Sequence, residues 1–399
     1  MNADAVQGRL AALARAEKAL HGLSQGERVA AVGRVLDAWS DPGSAVRRRL
    51  LDEHPRASGL SRANVAAGVE LALAGWGRAA LEHLVAAEAA GAAPLAGTTS
   101  VVHGGVLPMP TLLDALAPLV LGSPVLAKPA ARDPVTPRLV AASVAELAPE
   151  LGDGLAIADI RRDDEAALTA ILAAPRVAVT GSDEAVAAVR ARLAPGAKLV
   201  AHGHKLSLAI LGEGVPLENA AAQLSVDVSL WDQLGCLSPV ACWAVGDAAR
   251  ARAFAEALAR ALEAREAIAP LGEVDTAAAA RIASERSEAE LRAAAGGEVA
   301  LHAGEGFTVV AEADAAPRAA PLHRFVRVHP LAEASELAQA LAPLGPHVAG
   351  LAYAGLDDAQ ALTLAQSIGA SRAAPFGELQ APPLDWARDG LGVLASLLD

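Results

Sequence analysis

The sequence predicts an α/β protein with two α/β domains and a helical N-terminal segment. Three observations point there. Up to about residue 91 the apolar residues recur at helical spacing and no strand signal interrupts them. From there to about residue 212, short apolar runs alternate with helical segments, the rhythm of βαβ units around a parallel sheet. Beyond residue 212 a second series of strands and helices follows. A length of 399 residues suits two or three domains. The expected division is residues 1–212, the N-terminal helices with the first sheet, and residues 213–399, the second α/β domain with a C-terminal tail.

The N-terminal helices are rich in Ala and Leu, and Ser24 with Glu27 three residues on forms a capping box that opens one of them. In the first sheet region the expected strands are residues 124–127, 155–160, 176–180, 198–201 and 206–211, with helices over 137–147, 163–174 and 183–193. A helix over 216–225 then leads into "DVSLWDQLGCLSPVACW", residues 227–243, whose end opens the strand "VACWAV". Two long Ala/Arg/Glu helices come next, then strands near 298–301, 307–311 and 325–328. A last strand, "HVAGLAYAG", and helix, "DDAQALTLAQSIG", precede a Pro-rich tail. There is no internal repeat, and the Ala-rich helices reflect a biased use of a good helix former.

A formal charge of −13 with interleaved Arg, Glu and Asp disfavours a phosphate-tracking surface, so nucleic acid is not an expected partner. No run of about 18 apolar residues is present, and no basic start precedes an apolar core and a cleavage site. The expected location is the cytoplasm without membrane insertion, where both cysteines stay reduced. Only four of the 33 basic residues are lysines, Lys18, Lys128, Lys198 and Lys205. Arg thus serves wherever a generic positive charge is wanted, and a retained lysine points to a need for an ammonium.

Four stretches carry chemistry. In "RVAVTGSDEAVAAVRARL", Thr180, Gly181 and Ser182 lie where a strand gives way to a helix. Free N–H groups and the helix dipole suit that spot to a phosphate, although the same residues serve equally as an ordinary N-cap turn. Lys128 in "GSPVLAKPAARDPVTP" stands at the carboxyl end of a buried strand, where open α/β sheets bind nucleotides; a strand-end charge turned to solvent is the plainer alternative. Cys236 is flanked by Gly235 and Pro239, which makes a loop and an available thiol, whereas Cys242 sits inside an apolar strand as a small hydrophobe. No Cys/His cluster has metal-ligand spacing, so His103, His202 and His204 read as structural and no metal is expected. A G-x-S-x-G elbow is also missing.

In chain order, "VLPMPTLLDALAPLVLGSPVLAKPA", "VAVTGS", "AHGHKLSLAIL" and "DQLGCLSP" resemble the aldehyde dehydrogenase superfamily. The D-Q-x-x-C-x-S-P setting of Cys236 and the closing "PFGELQAPPLDWARDG" resemble most closely its LuxC acyl-CoA reductases. The likeness covers residues from about 100 to about 390, and the helical N-terminus fits it loosely. It implies a Rossmann-type cofactor domain and a catalytic domain with the active site in the cleft between them. It further implies Cys236 as nucleophile, Lys128 on the adenosine ribose, and Ser182, with Thr180 and Gly181, at the pyrophosphate. The substrate implied is an acyl-CoA or carrier-bound acyl thioester, and the partners implied are further copies of the chain and a protein that delivers acyl groups.

Departures from the superfamily pattern refine the expectation. Aligning "GHK" with its Gly-Gly-Lys puts Ala201 where aldehyde-oxidising members carry a glutamate base, which favours thioester reduction over release of an acid. Val106 stands where an Asn helps bind the oxyanion, and loss of such a donor costs about 10²–10³ in rate. No Glu-x-Phe for the nicotinamide ribose is evident around "PLHRFVRV". Three positions after Lys128, where NAD-preferring relatives often carry an acid, stands Ala131, followed by Arg132. A guanidinium there suits the 2′-phosphate of NADPH, with NADH as the lesser cofactor; a solvent-facing Arg132 is the plain alternative. The sequence therefore reads as an NAD(P)H-dependent reductase of acyl thioesters. An aldehyde-oxidising dehydrogenase and a non-catalytic relative that binds a partner or an acyl thioester are the rival readings.

Overall fold

The computed structural model describes residues 1–161 and 163–398. Five helices come first: α1 Ala3–Gly22, α2 Gln25–Ser40, α3 Ala45–Ser58, α4 Arg62–Leu73 and α5 Arg78–Glu88. The Asn2 side chain accepts the Ala5 N–H to start α1, and Ser24 and Glu27 close the expected capping box on α2. Then follow β1 Thr99–Val102, α6 Pro108–Val120, β2 Val125–Lys128, α7 Thr136–Leu147, β3 Leu155–Ile157, α8 Glu165–Ile171, β4 Arg176–Thr180, α9 Asp183–Arg190 and β5 Lys198–His202. These strands pair in parallel in the order β3-β2-β1-β4-β5. That is the order of dinucleotide-binding sheets, whose ligands lie beyond the carboxyl ends of the strands.

The central strand β1 is absent from the expected strands, for a physical reason. Its first residues, Thr99 and Ser100, are polar yet fully buried. The Thr99 hydroxyl bonds the Ser123 hydroxyl at 2.8 Å and Ser100 Oγ donates to the Ile171 carbonyl at 2.7 Å. Satisfied internally, these hydroxyls cost little to bury, and they hide the apolar signal of a core strand.

The remaining elements are β6 Leu206–Leu211, α10 Leu217–Ser229, β7 Pro239–Val245, α11 Ala248–Ile268, α12 Thr276–Ala294, β8 Ala300–Ala303, β9 Thr308–Ala311, β10 Phe325–Leu331, α13 Leu337–Leu341, β11 Val348–Ala354, α14 Asp358–Ser367 and β12 Arg372–Pro375. They build a seven-stranded sheet in the order β12-β11-β6-β7-β10-β9-β8, parallel except for the β8–β9 pair. Leu208, Ile210, Trp243 and Leu351 pack together in its core.

Two compact units result. One comprises Met1–Ser58, Val69–His204 and the tail from Pro383, and the other comprises Gly59–Gly68 and Lys205–Pro382. The chain thus changes unit after His204, and β6, which lies before residue 212, is a strand of the second unit's sheet. Among the described residues no helix is long and apolar enough to cross a membrane.

Candidate active site

After α10 ends at Ser229 the chain makes a tight turn over Leu230–Gln233, and Cys236 follows in a second turn closed by the Ser238 N–H on the Gly235 carbonyl at 3.0 Å. Ser207 Oγ, on β6, donates to the Cys236 carbonyl at 2.7 Å. Cys236 is half-buried, whereas Cys242 is fully buried in β7 between Ala241 and Trp243. Burial pushes the Cys242 thiol up, away from the thiolate form in which a cysteine is nucleophilic. Gly and Pro punctuation around one cysteine and apolar neighbours around the other mark the same difference in the sequence.

Both ends of the Cys236 turn are tethered. Gln233, fully buried, donates to the carbonyls of Pro239 at 2.7 Å and Phe325 at 3.0 Å and accepts the Phe325 N–H at 2.9 Å. Gln380 donates to Ser238 Oγ at 2.7 Å and to the Asp227 carbonyl at 2.8 Å. The Asp227 carboxyl in turn accepts the N–H groups of Gly377 and Leu379 at 2.7 and 3.1 Å. The "PFGELQ" stretch is thereby strapped to the end of α10 and to a residue two places from the thiol. Asp227, Ser207 and Gln380 went unmarked as site residues in the sequence, because what distinguishes them is partners far along the chain.

In the first unit, the carboxyl ends of neighbouring strands carry Lys128 on β2, His103 just past β1 and Thr180 on β4. The His103 N–H continues the ladder onto the Lys128 carbonyl at 2.9 Å. A Cβ on Gly104 would fall onto the Thr180 carbonyl, so the chain leaving β1 passes close against the end of β4. His103 is 5% exposed, its Nε2 has no hydrogen-bond partner, and burial keeps its imidazole below the usual histidine range. A lysine at a strand end, a close glycine approach and an unsatisfied buried nitrogen fit a polar ligand such as a nicotinamide cofactor along this edge.

The other expected cofactor residues lie on or beside that edge, with their polar groups engaged. Thr180 Oγ1 donates to Asp114 at 3.2 Å and accepts from Arg388 at 2.6 Å. Gly181 N–H bonds the His202 carbonyl at 3.0 Å. Ser182 caps α9 by accepting the Ala185 N–H at 3.3 Å, and Asp183 and Glu184 occupy the first turn. Two carboxylates thus oppose an anion at that terminus, where the Gly181 N–H is already engaged. Arg132, exposed in the turn after β2, donates to the Ser58 carbonyl at 3.0 Å.

Residues 60–399 match the sequence model of the acyl-CoA reductase (LuxC) family. The chain belongs to the LuxC acyl-CoA reductase family. The match begins about 40 residues before the stretch in which the motifs make the resemblance legible. Solved structures with the same fold include aldehyde dehydrogenase 21 from Physcomitrella patens in complex with the product succinate, at TM-score 0.74 and 14% identity over 100% of this chain and 89% of that one. They also include the NADP-dependent glyceraldehyde-3-phosphate dehydrogenase from Bacillus halodurans C-125 complexed with NADP, at TM-score 0.73 and 13% identity over 100% and 89%. An oxidoreductase from Marinobacter aquaeolei follows at TM-score 0.71 and 15% identity over 94% and 84%. No curated protein matches the sequence.

For a LuxC-family chain with an aldehyde dehydrogenase fold, the departures have visible settings. Ala201 is half-buried on β5, paired with Val179. Val106 is 2% exposed, and its carbonyl faces His54 Nε2 at 2.9 Å. His202 Nδ1 meets Asp389 at 2.8 Å, and the backbone N–H of His204 donates to Asp183 at 2.8 Å.

Proposed function

We propose that this LuxC-family protein reduces an acyl thioester, carried on CoA or on a carrier protein, to the aldehyde through a covalent acyl-Cys236 intermediate. Family membership and fold support NAD(P)-dependent acyl reduction or aldehyde oxidoreduction. The observation that carries the finer reading is the contrast between the cysteines: Cys236 half-buried in a tethered turn, Cys242 sealed in a strand.

The Cys236 thiolate attacks the thioester carbonyl carbon; its S–C bond forms as the bond to the departing thiol breaks, and that thiol leaves with a proton. The Cys236 backbone N–H would serve as an oxyanion donor. NAD(P)H, when bound, supplies the hydride that reduces the acyl carbon. The resulting thiohemiacetal on Cys236 collapses, releasing the aldehyde and restoring the thiol. In balance, one thioester, one hydride and one proton give one aldehyde and one free thiol. Lys128 and the backbone from Thr180 to Ser182 would hold the cofactor. Ala201 offers no base to activate water, which preserves the acyl-enzyme for reduction.

The test is to incubate the protein with a panel of acyl-CoA thioesters and follow NADPH oxidation and intact mass. An acyl adduct located on Cys236 and aldehyde formed in step with NADPH consumed are expected. Turnover that survives Cys236→Ala would overturn the reading.

A further inference from the structure

Six non-glycine residues beside the Cys236 turn hold left-handed backbone in two runs. Trp231, Asp232 and Gln233 have φ of 57°, 49° and 64°, and Leu322, His323 and Arg324 have φ of 67°, 56° and 61°. Such backbone costs an L-residue roughly 1–2 kcal/mol, and it persists only where the surroundings over-determine it. Here the surroundings are polar and buried. Arg324 Nη2 donates to Asp232 Oδ1 at 2.7 Å and to the Ala269 carbonyl at 2.8 Å, and its Nη1 reaches Glu266 at 2.7 Å. Asp232 also accepts from Asn64 at 2.7 Å and from the Gly272 N–H at 2.9 Å. Asn64 accepts the Trp231 N–H at 2.7 Å.

The two runs therefore grip one another, Arg324 on Asp232 and the Gln233 amide on the Phe325 backbone, with Arg324 fully buried and Asp232 2% exposed. A buried ion pair is a weak source of net stability, since apolar residues of similar volume often do as well or better. Its value lies in fixed geometry. Three residues after Asp232–Gln233 comes the thiol, and Gln233 spans the turn to the Pro239 carbonyl on its far side.

We propose that Asp232 and Arg324 are positioning residues for Cys236: their pair locks the two left-handed runs together and so fixes the direction in which the turn presents the thiol. The proposal rests on Cys236 being the nucleophile. Lysine cannot replace Arg324, because a single ammonium cannot reach Asp232, Glu266 and the Ala269 carbonyl with the planar fork that a guanidinium offers.

The experiment compares Arg324→Lys and the isosteric Asp232→Asn with wild type by steady-state kinetics with an acyl-CoA. It also measures the alkylation rate of Cys236 by iodoacetamide, located by peptide mass, and thermal unfolding. The expected result is a kcat lower by about 10²-fold with KM within about threefold, the scale on which a misplacement of ~1 Å acts, in proteins that still unfold cooperatively. Cys236 alkylation should slow by about tenfold in the same variants. A folded variant whose kcat and alkylation rate match wild type overturns the proposal. So does failure of both variants to fold, which would make the pair a folding element. Should the wild type reduce no acyl thioester, the functional reading falls while slowed alkylation still upholds the positioning role.

Discussion

Replacing Asp227 by asparagine removes a fully buried carboxyl near the end of α10 that accepts the N–H groups of Gly377 and Leu379. Burial, opposed in part by those donors and by Arg372, pushes its pKa from the ordinary 3.8 up to about 7. Between those values the folded chain holds a proton that the unfolded chain has released. Stability therefore falls as pH rises through this window, by about 1.4 kcal/mol per pH unit and at most about 4 kcal/mol in all. Asp227→Asn is neutral throughout and lacks this slope. Its amide presents a donor to one of the two backbone N–H groups, a pH-independent loss of about 1–3 kcal/mol. The variant should thus be clearly weaker than wild type near pH 4.5 and should close or reverse the gap near pH 8. Urea unfolding of both proteins across this range, with the difference in unfolding free energy plotted against pH, reads the effect. A difference flat to within about 0.5 kcal/mol would mean that Asp227 titrates as an ordinary aspartate and that the strap leaves it solvated.

Cys236→Ala should abolish aldehyde formation in a folded protein and Cys242→Ala should keep activity within about fivefold, as read by NADPH oxidation and adduct mass. Ser207→Ala removes the donor to the Cys236 carbonyl; it should lower kcat by up to about tenfold and stability by about 1 kcal/mol, read by kinetics and thermal melting. Ala201→Glu should raise the ratio of free acid to aldehyde formed from one acyl-CoA, as expected of a carboxylate at the position that the alignment through Gly203 and Lys205 gives to the water-activating base; an unchanged ratio counts against that alignment. NADPH should be preferred to NADH by at least about tenfold in kcat/KM, and Arg132→Ala should erode the preference by removing a charge-assisted contact.

Mostly apolar runs such as "LSLAIL" and "VACWAV" announce strands β6 and β7 because a strand buried on both faces needs little else. β1 escapes notice because hydroxyls that find partners inside the core look like loop residues in the sequence. The site divides in the same way. The contrast between Cys236 and Cys242 is local and legible from immediate neighbours. Asp232 with Asn64, Asp232 with Arg324, and Gln380 with Ser238 are separated by 168, 92 and 142 residues, distances over which no periodicity carries information. The position of Thr180 at a βα turn is legible, while its engagement by Arg388, 208 residues on, is not.

The sparse use of lysine is, by itself, incomplete ground for singling out Lys128. The sequence suggests that Arg is the generic cation here, so that a retained lysine must matter. Several arginines prove anything but generic. Arg28, 1% exposed, donates to the carbonyls of Val120, Leu20 and Leu23. Arg324 joins three acceptors, and Arg327, 1% exposed, joins Glu312, Glu285 and the Ala319 carbonyl. A planar guanidinium satisfies several fixed acceptors at once and is more weakly hydrated than an ammonium, so burying it in these places demands Arg rather than Lys. Abundant Arg therefore reflects in part a requirement of the core, which weakens the argument from scarcity. What singles out Lys128 is its place. Lys18 lies on α1, Lys198 opens β5 and Lys205 precedes β6 with its ammonium on the Pro346 carbonyl, whereas Lys128 ends β2 on the carboxyl edge of the five-stranded parallel sheet. An ammonium at that edge stands where such sheets receive their ligands, and this holds however freely the chain uses arginine elsewhere.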